Sequence, residues 1–418
     1  MTEKKRILVI ADSPLVPSGV GTQTKYMIEA MLKTGEFKFF CLAGAIRHES
    51  YQRQLVAPYK EDWIIQPVNG YGDAPTVRKI IQEFKPDALW FMTDPRFYVW
   101  LWDLSSEIRK NIPMIYYHVW DNYPYPYFNK KYYDSNDVIC TISKVTDDII
   151  KTVSPDVKSI RIPHSVNTDI FSKKDNNSRN EIRSKIDKNH EGKTFFFWNN
   201  RNARRKQSGS LIYWFKDFLD IVGHDKASLI MHTEPHDPNG QDLVAIVEHL
   251  GLTDRQVAFS TVKMPPEDLA AVYSAIDCTI NISDAEGFGL ATLESLATET
   301  PIIVTMTGGL QEQITDGENL FGIPLEPASK AIIGSQDVPY IYEDRLNGQD
   351  VTNALLKFHN MPKEEREHMG QMGRKHVLEN YGFSQYSGMW YQVFKELFDE
   401  CGSWENRKNY KHWSFKEL

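Results

Sequence analysis

Two series of short apolar segments, each alternating with helical patterns, constrain the fold of this chain most strongly. The first series covers residues 7–11, 37–42, 88–92, 114–119, 138–142 and 159–162. The second series covers residues 194–198, 228–231, 256–259, 276–282, 301–304 and 320–324. Buried strands separated by helices indicate parallel sheets with helices on both faces. Because 418 residues are too many for one ordinary core, the sequence predicts two doubly wound α/β domains.

The polar stretch of residues 173–193 separates the two series. It carries few apolar side chains and is predicted to be a linker with a short polar helix. We place the first domain at residues 1–168 and the second at residues 169–384. The remaining segment, residues 385–418, begins with the amphipathic spacing of a helix.

Composition favours a cytoplasmic protein. No apolar run approaches the roughly 18 residues of a membrane span, and the basic start, residues 4–11, reads as a first strand and not as a signal peptide. The four cysteines are scattered, which suggests neither a disulfide framework nor a zinc site. The net charge of -8 argues against tight nonspecific binding to nucleic acid, although the first 170 residues are nearly neutral.

The stretch of residues 283–297 places two carboxylates around the start of a helix. Glu286 lies in the loop after an apolar strand, and Glu294 lies in the first turns of the helix. Gly287 and Gly289 allow a tight turn and close approach of a ligand. Backbone amides at a helix start bind a diphosphate well. The amides in question belong to Leu290, Ala291 and Thr292, and the buried face of the helix is predicted to be Leu290, Leu293, Leu296 and Ala297.

The pattern E-G-F-G-L-x-x-L-E in this stretch resembles the E-x7-E signature of retaining, family-four glycosyltransferases. That resemblance implies the GT-B fold, in which two facing Rossmann-like domains form an interdomain cleft. It implies that the first domain is the acceptor side, completed by C-terminal helices 385–418, and that the second binds the nucleotide sugar. The opening loop, residues 12–19, also looks like that of bacteriophage-encoded members, some of which glycosylate hydroxymethylcytosine in DNA.

The resemblance assigns the donor site mainly to the second domain. Glu286 would bind the sugar hydroxyls, Glu294 the ribose, and Met264, in the loop of residues 261–264, the base. The other donor-binding residues expected there are Gly287, Phe288, Gly289, Leu290, Ala291 and Thr292. Gly308, Gly309 and Glu312 match a further recurrent piece that is predicted to shape the floor of the cleft.

Arg201 and Lys206 stand five positions apart at a helix entrance and resemble the cations that neutralise the departing diphosphate in this family. The neighbouring Arg204 and Arg205 are assigned to a solvated basic turn. The chain contains no D-x-D motif. We therefore expect no metal site and no cofactor, with the nucleotide sugar as co-substrate.

The first domain is expected to contribute Gly19, Gly21 and His118. The two glycines resemble the family's glycine loop at the donor phosphate, and a dinucleotide-binding interpretation fails because Thr24 stands where a third glycine is needed. His118 ends a predicted strand and matches the family histidine that contacts the donor sugar. Taken without the resemblance, a histidine there is more often structural.

Asp121, Tyr123, Tyr125 and Tyr127 are the candidates for holding the acceptor. Prolines at alternate positions predict that the tyrosines are displayed on a loop, either as a stacking platform for a sugar or base or as a small satellite core. If the acceptor were a DNA base, it would have to leave its stack.

The sequence thus predicts a retaining, metal-independent glycosyltransferase that moves a hexose or pentose from a nucleotide diphosphate sugar, favouring UDP, to a hydroxyl. One alternative is a phage-type DNA glycosyltransferase acting on hydroxymethylcytosine. Others are a nucleotide-sugar epimerase and a sugar-nucleotide-binding module without catalysis. The sequence names neither the sugar, the acceptor nor the oligomeric state.

Overall fold

The computed structural model describes residues 3–410, so the predicted helical residues 411–418 lie outside the described part. The chain divides into two compact units. Unit 1 contains the residues up to His164, the segment Ser335–Pro339 and the residues from Ser384 onward; unit 2 contains Ser165–Gly334 and Tyr340–Phe383. The division at His164 lies four residues before the predicted boundary at 168.

Unit 1 is built on an eight-stranded sheet in the order β3-β4-β2-β1-β5-β6-β7-β8. All neighbouring strands are parallel except β3 and β4. The strands are β1 (Lys5–Asp12), β2 (Phe37–Gly44), β3 (Gln54–Val56), β4 (Lys60–Pro67), β5 (Ala88–Met92), β6 (Met114–His118), β7 (Val138–Thr141) and β8 (Lys158–Arg161). The helices are α1 (Gly19–Lys33), α2 (Ala74–Phe84), α3 (Val99–Asp103), α4 (Ser105–Arg109), α5 (Lys130–Tyr133) and α6 (Lys144–Val153).

Unit 2 is built on a six-stranded parallel sheet in the order β11-β10-β9-β12-β13-β14. Its strands are β9 (Thr194–Asn199), β10 (Ala227–His232), β11 (Val257–Ser260), β12 (Cys278–Asn281), β13 (Ile302–Thr305) and β14 (Gly322–Leu325). An antiparallel hairpin follows, made of β15 (Ser329–Ile333) and β16 (Ile341–Arg345). The helices are α7 (Asn176–Ile186), α8 (Ser208–Val222), α9 (Leu243–His249), α10 (Pro266–Ala275), α11 (Leu290–Ala297), α12 (Leu310–Gln313), α13 (Gly348–Asn360) and α14 (Lys363–Asn380).

The last helix, α15 (Phe383–Cys401), packs on the sheet of unit 1 from Ser384 onward. Trp390 is fully buried and lies edge-on to the rings of Trp90 and Tyr117. Tyr386 donates from its hydroxyl to the carbonyl of Gln23 at 2.9 Å. The amphipathic spacing at the end of the sequence therefore forms a helix whose apolar face covers the N-terminal sheet.

Each predicted apolar segment overlaps a strand. Most of these strands are buried and apolar on both faces, as is usual in parallel sheets, whereas β8 and β11 at the sheet edges are largely half-buried. The prediction missed β3, β4 and the β15–β16 hairpin, whose strands carry exposed or charged side chains. The polar helix expected in residues 173–193 is α7. This segment is bound to unit 2 and is not a free linker: Arg183 pairs with Asp277 at 3.1 Å, and Arg179 donates to the carbonyl of Ser274 at 2.6 Å.

Candidate active site

The strand order of unit 2 places one crevice at its centre. Successive connections run from β9 outward through β10 and β11, and then return to β12 on the other side of β9. In open parallel sheets, ligands bind outside the carboxyl ends of the strands at such a reversal. The loop after β9 contains Arg201 and the 3-10 turn Arg204–Lys206, which we call the cationic turn. The loop after β12, residues 283–289, which we call the carboxylate loop, contains Glu286.

The carboxylate loop is held by buried contacts. Gly289 has φ 90°, and a Cβ there would lie 2.5 Å from the Leu310 side chain, so only glycine fits without strain. Gln313 donates to the carbonyl of Phe288 at 2.6 Å. The amide of Gly309 donates to the carbonyl of Glu286 at 3.1 Å, so the predicted floor residue Gly309 contacts the loop directly.

Helix α11 begins at Leu290, directly after this loop. Within residues 3–410, no side chain caps its first turn, so its amides, including those of Ala291 and Thr292, remain suited to an anion. Its buried face includes Leu293, Leu296 and Ala297 as predicted, but Leu290 is only half-buried and does not belong to the core.

Glu286 forms an ion pair with Lys206. Both side chains are largely buried, with 12% of the Glu286 side chain and 9% of the Lys206 side chain exposed. The carboxylate also accepts from Asn281 at 3.4 Å and from the Ser283 hydroxyl at 3.3 Å. Burial by itself would raise the pKa of Glu286, but Lys206 and then Arg205 outweigh it and lower this pKa to about 2. Glu286 is therefore an anion across the physiological range.

The cationic turn brings Arg205, and not only Lys206, to Glu286. The Arg205 guanidinium lies 3.8 Å from the carboxylate and donates to the carbonyl of Ala285. Arg205 was expected in a solvated basic turn, and its side chain is indeed 43% exposed, but its guanidinium also reaches the buried carboxylate. In a run of three basic residues, the sequence does not show which side chain points inward, whereas the turn geometry does.

Arg201 has a different partner. Its side chain is 65% exposed and binds Asp237 through two nitrogens, the shorter contact being 2.7 Å. That pair lowers the pKa of Asp237. The role of Arg201 at a leaving diphosphate stays a prediction, since using it there requires the guanidinium to leave Asp237.

Glu294 lies on α11, with Tyr273 of α10 beside it. The Tyr273 hydroxyl interacts with Glu294 and accepts from the Asn199 side chain at 2.8 Å, which links the end of β9 to the helix. Burial raises the pKa of Glu294 to about 7, although the hydrogen bond to Tyr273 acts in the opposite direction. Sequence reasoning missed Asn199 and Tyr273, and no motif marks them.

The loop expected to meet the base, residues 261–264, is mostly exposed, and Met264 is half-buried just before α10. Val262 is 73% exposed. Nearby, His232 at the end of β10 bonds the hydroxyl of Ser260 at the end of β11, at 3.0 Å. The contact of this loop with the base stays a prediction.

In unit 1, Gly19 and Gly21 form the first turn of α1 and not the preceding loop. Ser18 caps that helix by accepting from the amide of Gly21 at 2.9 Å. A Cβ on Gly21 would lie 2.7 Å from the carbonyls of Ser13 and Val16, so this glycine is required for packing.

His118 is at the end of β6, as predicted, but it is completely buried. Its Nε2 bonds the Tyr133 hydroxyl at 3.0 Å, and its ring packs on Tyr116 and Tyr133. Burial lowers the pKa of His118 to about 3, so the ring is neutral. The contact of His118 with the donor sugar stays a prediction, and in this structure its ring is enclosed by Tyr116 and Tyr133.

The tyrosine segment divides into a displayed part and a packed part. Tyr123 and Tyr125 both donate to Asp148, at 2.8 and 3.0 Å, and Tyr127 is 56% exposed. Asp121 is half-buried beside them in the sequence. By contrast, the segment continues into α5, where Tyr133 is fully buried. The segment thus has one part at the surface and one part in the core, and the role of the exposed tyrosines as a stacking platform stays a prediction.

Two further findings concern ligands and membranes. Among residues 3–410, no group of three or more His, Cys, Asp or Glu is placed to hold a metal ion. Over the same residues, no helix has the length and apolar character needed to cross a bilayer.

The comparisons with known proteins agree with this geometry. Residues 178–376, just under half of the chain, match the family model described as "Glycosyl transferases group 1". A D-inositol 3-phosphate glycosyltransferase of Corynebacterium urealyticum is 40% identical over 77 residues, which is 18% of each chain. The mannosylfructose-phosphate synthase of Agrobacterium fabrum is 36% identical over 104 residues, covering 25% of this chain and 22% of the relative. The matches thus span about a fifth of the length of these curated relatives.

Solved structures extend the similarity to nearly the whole chain. The sucrose-phosphate synthase of Thermosynechococcus elongatus superposes with a TM-score of 0.75 at 16% identity, covering 95% of this chain and 100% of that one. Alr3699/HepE of Anabaena, solved with UDP and glucose, gives 0.70 at 12% identity, covering 94% and 100%. These comparisons give no support to the phage-type resemblance. The chain therefore has the predicted GT-B fold, and its residues 178–376 match the group 1 glycosyl transferases.

Proposed function

We propose that this protein is a retaining glycosyltransferase that moves a sugar from a nucleotide diphosphate sugar to a hydroxyl acceptor. The observation that carries the proposal is the buried pair of Glu286 and Lys206, placed where the strand order of unit 2 reverses and next to the uncapped start of α11. The matched family model covers this same region.

Each group in the crevice has a chemical task in this proposal. The amides at the start of α11, with Lys206 and Arg205, would hold the diphosphate and stabilise its charge as the glycosidic bond breaks. Glu294 would accept from the ribose hydroxyls. Glu286, held as an anion, would accept from the hydroxyls of the transferred sugar and stabilise positive charge that develops on its ring.

The same groups support transfer without a metal, because cations and helix amides already neutralise the leaving diphosphate. No carboxylate is placed by motif as a covalent nucleophile. Retention would then follow a front-side route, in which the departing phosphate oxygen takes the acceptor proton while the new bond forms on the same face.

We propose UDP as the favoured nucleotide, since Alr3699/HepE was solved with UDP and glucose. The acceptor would be bound by unit 1, where Tyr127 and Tyr125 present ring surface and Asp121 a carboxylate. Aromatic faces with nearby carboxylates suit a polyhydroxylated acceptor, because rings stack on C–H faces and carboxylates accept from hydroxyls.

The experiment compares binding and turnover in Glu286→Ala. We expect UDP to bind within about twofold of wild type, while turnover of UDP-sugar, assayed in EDTA, falls by more than about a thousandfold. Glu326→Ala is the matched control, because Glu326 is an exposed carboxylate of the same unit. Full turnover in Glu286→Ala would contradict the assignment. Conversion of the nucleotide sugar to an isomer without any acceptor would indicate an epimerase instead.

A further inference from the structure

A buried ion-pair cluster joins the β15–β16 hairpin to both loops of the candidate active site. It consists of Arg204 and Gln207 from the loop after β9, Asp284 from the carboxylate loop, and Glu343 and Arg345 from β16. We call this cluster the hairpin latch. All of its members lie in unit 2.

Glu343 is the centre of the latch. Only 3% of its side chain is exposed, and both of its oxygens accept from the Arg204 guanidinium, at 2.7 and 2.5 Å. Arg345 donates to the same carboxylate at 2.7 Å. Burial would raise the pKa of Glu343, but Arg204 and Arg345 lower it, so the group is an anion. A two-point contact between a planar guanidinium and a carboxylate fixes orientation as well as distance.

Asp284 extends the latch to the carboxylate loop. Its side chain is also 3% exposed, forms an ion pair with Arg345 and accepts from Gln207 at 2.8 Å. Two backbone bonds run in parallel with these contacts. The amide of Asp284 donates to the carbonyl of Arg205 at 2.8 Å, and the amide of Asp344 donates to the carbonyl of Asp284 at 2.9 Å.

Burying a carboxylate is costly unless it is paired, and here the partners come from different segments. The cationic turn can therefore satisfy Glu343 only in one position relative to the hairpin. That position also sets Arg205 and Lys206 against Glu286. The ion pairs of these segments join four cationic side chains, Arg204, Arg205, Lys206 and Arg345, to three carboxylates, Asp284, Glu286 and Glu343.

We propose that the hairpin latch is a positioning device for the diphosphate of the donor, and that Glu343 is its principal positioning residue. Glu343 orders the cationic turn before the ligand arrives, so the turn loses little conformational freedom on binding. The inference rests on the proposed function, since it assigns the cations of the latch region to a donor diphosphate. It adds a role for β15 and β16, which no motif marks.

The test uses Glu343→Gln, which keeps the shape of the side chain and removes its charge. UDP and UMP are titrated separately at pH 8 by calorimetry, because only UDP carries the second phosphate. Wild type should prefer UDP, and in Glu343→Gln the ratio of the two affinities should fall by about tenfold, with UMP affinity unchanged. Glu326→Gln makes the same chemical change on an exposed carboxylate and should keep the wild-type ratio.

A second variant keeps the proposal testable if Glu343→Gln does not fold. Arg204→Lys keeps the charge but loses the two-point contact, and its 61% exposed side chain makes unfolding an unexpected result. It should lower the ratio as well. An unchanged or increased ratio in the folded variants would overturn the positioning role while leaving the proposed function intact. A wild type that binds neither UDP nor GDP would overturn both.

Discussion

The raised pKa of Glu294 predicts that donor binding strengthens as the pH rises. A carboxylate that accepts from ribose hydroxyls does so in its ionised form. Burial raises the pKa of Glu294 to about 7. The ionised fraction of such a group rises from about one eleventh at pH 6 to about ten elevenths at pH 8. Affinity for the donor should therefore rise about tenfold over this range, or about 1.4 kcal/mol.

The same group has the opposite effect on the stability of the unliganded protein. Its folded pKa lies above the ordinary value of 4.5, so the folded state holds the proton more tightly than the unfolded state. The resulting stabilisation is fully present below about pH 4.5 and is lost as the pH rises through about 7. It amounts to about 3–4 kcal/mol at most. Donor binding and stability should thus respond to pH with opposite signs.

Calorimetric titration with UDP-glucose at pH 6, 7 and 8 measures the first effect. The diphosphate of this ligand is esterified at both ends and does not titrate in that range. In Glu294→Gln the affinity should be independent of pH and close to that of wild type at pH 6, whereas Glu326→Gln should behave as wild type. Two results would contradict the role of ionised Glu294 in donor binding. One is a wild-type affinity that is constant or falls with rising pH, and the other is an unchanged pH dependence in Glu294→Gln.

Two further predictions concern the charges and the packing of the site. Lys206→Met should lower turnover by about a hundredfold. It should also raise the pKa of Glu286 from about 2, because Arg205 is then the cation left to stabilise the carboxylate. The pH profile of the residual turnover measures this shift, and an unchanged acid limb of that profile would count against it. Leu293→Ala, on the buried face of α11, should reduce the free energy of unfolding by about 2–5 kcal/mol in urea denaturation, and a loss below about 1 kcal/mol would show that the site had collapsed around the cavity.

The sequence predicts the two sheets well because their strands are buried on both faces. Residues 195–198 are all apolar, and in residues 276–282 the apolar side chains of Ile276, Cys278, Ile280 and Ile282 alternate with polar ones. These segments form β9 and β12, so the carboxylate loop could be located between a strand and a helix. The β15–β16 hairpin was not predicted, because Glu343 and Arg345 are charged and are stabilised by Arg204 and Asp284 from distant segments. Such pairing depends on the tertiary structure.

The candidate site, like the fold, was predicted only in part. Lys206 and Glu286 were predicted from motifs and lie in contact. The contact of Arg205 with Glu286 was not predicted, because position in a basic run does not reveal which side chains reach a buried partner. His118 was placed correctly at the end of β6, but its neighbours Tyr116 and Tyr133 bury it. Motifs thus identified the pair of Lys206 and Glu286, whereas the surrounding contacts required the structure.

The proposed retaining transfer is tested most directly by proton NMR of α-linked UDP- and GDP-sugars, incubated with an acceptor panel of polyols and sugars and with either wild type or Glu286→Ala. We expect wild type to consume the donor and its first-formed product to carry an α-linked sugar. We expect Glu286→Ala to consume no donor while still binding UDP. A β-linked first product would contradict retention. Failure of the folded wild type to consume UDP- or GDP-sugars with any of these acceptors would contradict the proposed activity itself.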